Sequence, residues 1–263
     1  MKKALLSALL AGLPASAWAQ DDPEADARPP SRLSAGVGAA ISDSVYAGEG
    51  TRVTPFPLVV YQGERFFFHG ITAGWRLVET DGFELAAVAA MRFDGFDIGD
   101  LGREELARNG LDARLLEDRD DGIDVGLSAA WTGRAGELEV ELLADAAGAS
   151  QGQEVSVEYG YPLQWGRTRV VPAVGLRWMS KDMADYYYGT LDKEVARGVV
   201  DYRAGDATVP HIGVSFMRSL GERWSLLATF EYSRFPDAIR SSPFVEPGCE
   251  GSVSLMLGIA RGF

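Results

Sequence analysis

The residues best suited to proton chemistry are His69 and His211, the only two histidines in 263 residues. In "HIGVS" His211 and Ser215 stand four apart, which on a strand points both the same way at a separation of about 13 Å. A serine nucleophile needs its histidine in hydrogen-bond contact and a third group to orient that histidine. The spacing therefore supplies no lipid-deacylase or phospholipase constellation, and no catalytic residue is assigned. His69 follows Phe66–Phe68 and reads as an interface or lumen residue. Residues 94–121 are dense in acids from Asp94 to Asp121, ending in "DRDDG". That ending lacks the spacing of a calcium loop and its bidentate glutamate at the twelfth position. The acids read as solvated surface charge, with no metal ligand set and no cofactor expected. Two further groups could act by binding. Glu139 and Glu158 sit on strand-like stretches and are candidates for a lumen that passes cations. "DYYYG" places Tyr186, Tyr187 and Tyr188 in succession; on a strand their rings would reach both faces, as a partner surface or an upper aromatic girdle.

The elements that must position these residues are strands. From Leu33 the chain runs in alternating segments of about 8 to 13 residues, bounded by turn chemistry. "RLSAGVGAAIS" puts Leu33, Val37 and Ile41 on one face, and "ELEVELLADAAG" sets Leu138, Val140 and Leu142 against Glu137, Glu139 and Glu141. The helical exception is "REELARNGLDARLL" (103–116), inside a loop. Such a series makes a β-sandwich or a β-barrel. Small and charged residues share one face, as the lumen of a transmembrane barrel requires. Short turns at "GRAG" (133–136), "GR" (166–167) and "GER" (221–223) alternate with long loops at 94–121, 181–209 and 234–250. Outer-membrane barrels pair short periplasmic turns with long extracellular loops in this way. Trp131, Trp165 and Trp224 each lie within two residues of a short turn, the placement of an aromatic girdle. The expected fold is thus all-β, a transmembrane antiparallel β-barrel. Eleven segments are visible, but an even number is required, so the stretch Arg65–Val78 is expected to split near Gly70 and give twelve strands. Ten is the alternative.

The N-terminus carries Lys2 and Lys3, an apolar run to Leu13, and Ala17-Trp18-Ala19. This is a secretory signal over residues 1–19, cut between Ala19 and Gln20. Residues 20–32, acidic and proline-rich, form a flexible periplasmic lead-in, and the barrel occupies 33–263. One cysteine, Cys249, leaves no internal disulfide. A formal charge of −13 excludes a basic nucleic-acid surface. The final segment "SVSLMLGIARGF" ends on Phe263 in mid-alternation. A closed barrel permits such an ending, because its last strand pairs with its first.

Four stretches, in order, resemble the MipA/OmpV family of outer-membrane proteins. They are "SVYAGEG" (44–50), "TPFPLVVYQGERFFFHG" (54–70), "DYYYGT" (185–190) and "SSPFVEPG" (241–248), followed by the terminal "GF". Thr190 departs from the pattern, which has valine after Tyr-Tyr-Gly. The resemblance implies a barrel in the Gram-negative outer membrane, among lipids and lipopolysaccharide. It also implies that Phe263 serves as the assembly signal read by the barrel-assembly machinery. As function it implies a non-enzymatic scaffold linking a lytic transglycosylase and a penicillin-binding protein to the membrane. A small cation-preferring porin or an adhesin is the alternative, and a lipid-modifying enzyme is a third reading.

Overall fold

The computed structural model describes residues 32–263. The signal segment, the Ala19–Gln20 cleavage point and the lead-in through residue 31 lie outside the described residues. Twelve antiparallel strands follow one another around a single sheet. They are β1 (Leu33–Asp43), β2 (Thr51–Gln62), β3 (Phe66–His69), β4 (Thr72–Thr80), β5 (Phe83–Arg92) and β6 (Gly122–Gly133). The second half is β7 (Gly136–Asp145), β8 (Gln153–Gly160, resumed at Leu163–Trp165), β9 (Thr168–Met179), β10 (Ala207–Leu220), β11 (Trp224–Arg234) and β12 (Gly251–Gly262). β8 is one strand in two pieces, both paired to β9, interrupted where Pro162 cannot donate.

β12 closes on β1 in a register running from Ser34↔Gly262 to Ser42↔Ser254. Phe263 extends the ladder by donating its N–H to the Leu33 carbonyl at 2.9 Å. Closure pairs the first strand with the last, so neither β1 nor β12 is left as a free edge in hydrocarbon. The even count comes from a break at Gly70, whose φ of 60° lets the chain reverse between β3 and β4. Five short turns lie at one rim, together with both ends of the described chain. The connections at the other rim include three long excursions, as expected of extracellular loops.

The period-2 pattern sorts side chains as the alternation requires. Along β12, Val253, Leu257 and Ile259 are exposed on the outer face, while Ser254, Met256 and Ala260 are buried inside. The interior is nevertheless less polar than an open porin lumen. Leu58, Val60 and Leu227 pack together within it, as do Phe67, Val88 and Leu143. Packed apolar side chains therefore share the interior with the small and charged residues that mark the lumen face.

The long loops fold as well. They contribute helices α1 (Arg103–Arg108), α2 (Lys181–Tyr188), α3 (Asp192–Ala196) and α4 (Asp237–Arg240). The helical pattern over 103–116 becomes α1 and a 3₁₀ turn at Ala113–Leu115, separated at Gly110. The tyrosines expected on a strand lie in α2 instead. Tyr187 and Tyr188 are buried and Tyr186 is half-buried. A helix brings the rings of neighbouring residues about 100° apart, so two of the three can enter one core together. These loop segments share the largest apolar core of the described residues, including Tyr46, Phe96, Met183, Tyr187, Ile239 and Phe244. It forms a cap over the extracellular mouth.

Candidate functional site

Beneath the cap the interior opens into a chamber of about 50 Å³, walled chiefly by β5 to β10. Carboxylates outnumber arginines seven to two among its lining residues, so the chamber favours a cation. Arg92 anchors its upper side. Its Nε donates to Asp124 Oδ2 at 2.7 Å, and its Nη1 donates to Asp94 Oδ2 at 2.7 Å and Glu154 Oε2 at 3.0 Å. Glu154 also meets Arg177 at 3.5 Å. One guanidinium is thereby shared among three carboxylates that would otherwise repel.

Glu139 and Glu158, the two glutamates singled out by their alternation, both line this chamber. Glu139 Oε1 accepts from Ser128 Oγ at 3.0 Å. Glu158 lies 3.3 Å from His211 Nε2, although the two residues are separated by a whole strand. Gly175 on β9 stands between them, paired with His211 on one side and Glu158 on the other. A Cβ on Gly175 would fall 2.4 Å from His211 Nε2, so only glycine lets the imidazole lie across the strand. Two buried atoms at the chamber have no partner among the described residues, His211 Nδ1 and Asp124 Oδ1. Ser215 lies 3.3 Å from Thr229 Oγ1 and belongs to no His211 pair. His69 is buried, stacked on Phe67 at 4.9 Å and 2.5 Å from Gln62 Nε2.

The cap above the chamber is built from the quoted motifs. Tyr46 of 44–50 packs on Phe96 at 4.4 Å and on Tyr188 of 185–190 at 6.1 Å. Ser242 Oγ of 241–248 donates to the Tyr188 carbonyl at 2.6 Å, and Ala47 N–H donates to the Phe244 carbonyl at 2.8 Å. Arg119 and Glu194 lock two long loops together at their centre. The sequence held no local sign of that pair, because 75 residues separate its members and each lay in a polar run that reads as solvated charge. Thr190 is fully buried and bonds across its loop. Its Oγ1 accepts from Tyr202 N–H at 2.8 Å and donates to the Val200 carbonyl at 2.9 Å. Burial pushes the Tyr46 phenol well above its ordinary pKa, and the nearby Tyr188 and Asp94 add to the shift. Tyr187 and Tyr188 are raised in the same way, by burial first and then by Asp94.

The remaining expected positions lie on the outer surface. Trp131, Trp165 and Trp224 are exposed beside the short turns, and the Trp131 ring lies tilted against Phe83 with centres 5.1 Å apart. Phe263 is exposed, with the Arg261 guanidinium 5.4 Å from its ring centre.

Comparison with known proteins gives a consistent set of relatives. A family model described as "MltA-interacting protein MipA" matches residues 35–263. The putative outer membrane protein YiaT of Escherichia coli (strain K12) is 30% identical over 82% of this chain and 85% of its own length. The MltA-interacting protein of the same organism is 29% identical over 85% of this chain and 88% of its own. Among solved structures, the NanC porin superposes with a TM-score of 0.48 at 7% identity, over 87% of this chain and 100% of that one.

Proposed function

The chain belongs to the MipA family of outer-membrane β-barrels, and from that membership we propose that it acts as a scaffold holding a murein-processing enzyme at the membrane. The observation that carries this reading is the filling of the barrel. A folded cap covers one mouth and apolar clusters occupy much of the interior, leaving about 50 Å³ of chamber. The surface left for a macromolecule in the periplasm is the rim of short turns. That rim is charged, with exposed Arg65, Arg134, Arg167 and Arg223 interspersed with Glu64 and Glu222. Charged rims set partner choice and encounter rate more than affinity.

The name of the MltA-interacting relative supports a lytic transglycosylase as the partner. A penicillin-binding protein would join as the second enzyme of such an assembly. The barrel-assembly machinery would read Phe263, and outer-membrane lipids with lipopolysaccharide would surround the strands. The test is covalent crosslinking in native membranes followed by affinity isolation of the whole protein. A murein-processing enzyme should be enriched, and replacing the four rim arginines with serine should reduce its recovery. Equal recovery from membranes lacking the protein would overturn the scaffold.

A second reading, a small cation-preferring channel, is favoured by the carboxylate excess around Glu139 and Glu158. It requires the cap to move aside. Planar-bilayer recording separates it from the scaffold.

A further inference from the structure

β3 has only four residues, and its pairing reaches β2 no higher than Val60↔His69. Above that level, from Thr51 to Leu58, β2 is bonded to β1 on one side and, among the described residues, to no strand on the other. The barrel wall therefore has a gap in its extracellular half, bounded by β2, the Gly70–Ile71 turn and the upper end of β5.

Hydrogen-bond direction shows which groups face that gap. Gln62 N–H donates to the Arg32 carbonyl on the β1 side, whereas the Val59 carbonyl accepts from Gly70 N–H on the other. Even-numbered residues of β2 thus turn their backbone groups to β1, and odd-numbered ones turn theirs to the gap. Pro55 and Pro57 are odd-numbered. Their missing N–H groups lie on the open edge, which from Pro55 to Pro57 presents carbonyl acceptors without donors. A conventional strand cannot pair there, so the edge is protected from other chains. In hydrocarbon, an edge that offers acceptors and no donors matches a partner that brings donors.

Behind the gap lie partly buried apolar side chains and, beyond them, a polar chamber. Phe56, Ile71 and Phe93 pack against buried Ala40 and Met256. Ile71 also lines the acidic chamber, together with Met91, which is 47% exposed on the outer face. Ile71 thus touches both the apolar cluster behind the gap and the cavity rich in carboxylates. Two buried chamber atoms, Asp124 Oδ1 and His211 Nδ1, have no partner among the described residues, and the Asp124 oxygen is an acceptor.

We propose that this gap is a lateral binding site for a cationic amphiphile, a primary alkylammonium whose chain rests against Phe56, Ile71 and Phe93 and whose ammonium reaches the chamber carboxylates. The ligand enters from the outer leaflet, beneath the cap. Its three N–H donors suit both the acceptor-only stretch Pro55–Pro57 of β2 and the carboxylates, and a chamber of about 50 Å³ has room for the headgroup but not the chain. An anionic or donor-free amphiphile matches neither feature.

The experiment uses native mass spectrometry of the whole protein released from dodecyl maltoside micelles, with dodecylamine as probe and dodecyl sulfate as the control of equal chain length. One dodecylammonium should bind per barrel, uncompeted by dodecyl sulfate. Binding should weaken about tenfold or more in Glu139→Gln/Glu158→Gln, the loss expected when charged acceptors become neutral. Ile71→Trp should block it. The shift in gel mobility on boiling reports whether each variant is folded. Equal occupancy by dodecyl sulfate in the unaltered protein would overturn the proposal, whatever the variants do. So would dodecylamine binding that both folded variants retain undiminished.

Discussion

Arg119 and Glu194 form a bidentate ion pair in which neither side chain is exposed to solvent, with Nη1–Oε1 and Nη2–Oε2 both at 2.9 Å. The remaining donors of Arg119 go to the carbonyls of Tyr186, Glu117 and Gly189. Glu194 accepts further from the N–H groups of Leu191 and Glu117. Phe96 and Phe244 place their rings 5.6 and 5.2 Å from the guanidinium carbon. Burying two charges is unfavourable unless every lone pair and proton is used, and here the network uses them. Glu194→Ala leaves Arg119 buried and uncompensated, so opening of the cap should become easier by about 3–5 kcal/mol. Hydrogen exchange should show faster exchange in 117–121 and 186–199, with the strands unaffected. Unchanged protection there would mean that the pair does not hold the cap.

Thr190 makes a second, smaller claim on the same loop. Thr190→Val removes the acceptor of Tyr202 N–H and the donor to the Val200 carbonyl. Leaving such groups unsatisfied costs about 1–3 kcal/mol. The Tyr202 amide should exchange at least tenfold faster, about the effect of 1.4 kcal/mol. No change would show that the loop re-bonds without the hydroxyl.

The cap should loosen in alkali. Tyr46, Tyr187 and Tyr188 have phenol pKa values raised by burial, so the folded cap holds their protons more tightly than an opened one. Their contribution to cap stability is fully present below the ordinary value of about 10 and is lost as pH rises from there toward the raised values. Tyrosinate absorbance should lag behind that of exposed tyrosines and then rise together with protease cleavage of the loops. Ordinary titration of every tyrosine near pH 10 would contradict this.

At the chamber, Gly175→Ala tests the contact between His211 and Glu158. The added methyl would sit 2.4 Å from Nε2 and 2.7 Å from the Val157 carbonyl, so the ring must leave Glu158 or the strand must shift. Overpacking of this kind costs about 1–3 kcal/mol. The imidazole resonances of His211 should lose their dependence on Glu158→Gln. If that dependence survives the alanine, the imidazole has another route to the carboxylate.

Legibility in the sequence followed the range of the interaction. Strand alternation is a local signal, and it located the barrel and set Glu139 and Glu158 on the face that lines the chamber; the break at Gly70 followed from the even strand number a barrel requires. The same local view put Tyr186–Tyr188 on a strand, because nothing near them tells of the core that Tyr46 and Phe244 bring from elsewhere in the chain. Arg119 and Glu194 were hidden for the same reason, each lying among residues that are solvated. Pro55 and Pro57 stood in the sequence within a segment that counts as a strand. Their meaning depends on which edge of β2 is open, and that is a property of the assembled wall. The motifs in 44–50, 185–190 and 241–248 supported family membership from the start; their convergence in one cap required the fold.

The central claim is that the filled and capped barrel serves as a scaffold rather than as an open conduit, and planar-bilayer recording tests it most directly. The unaltered protein should leave the bilayer silent, while Arg119→Ala/Glu194→Ala, with its cap loosened, should give intermittent cation-preferring steps. Sustained cation-selective conductance from the unaltered protein, falling when Glu139 and Glu158 become glutamine, would contradict the account and establish the channel in its place.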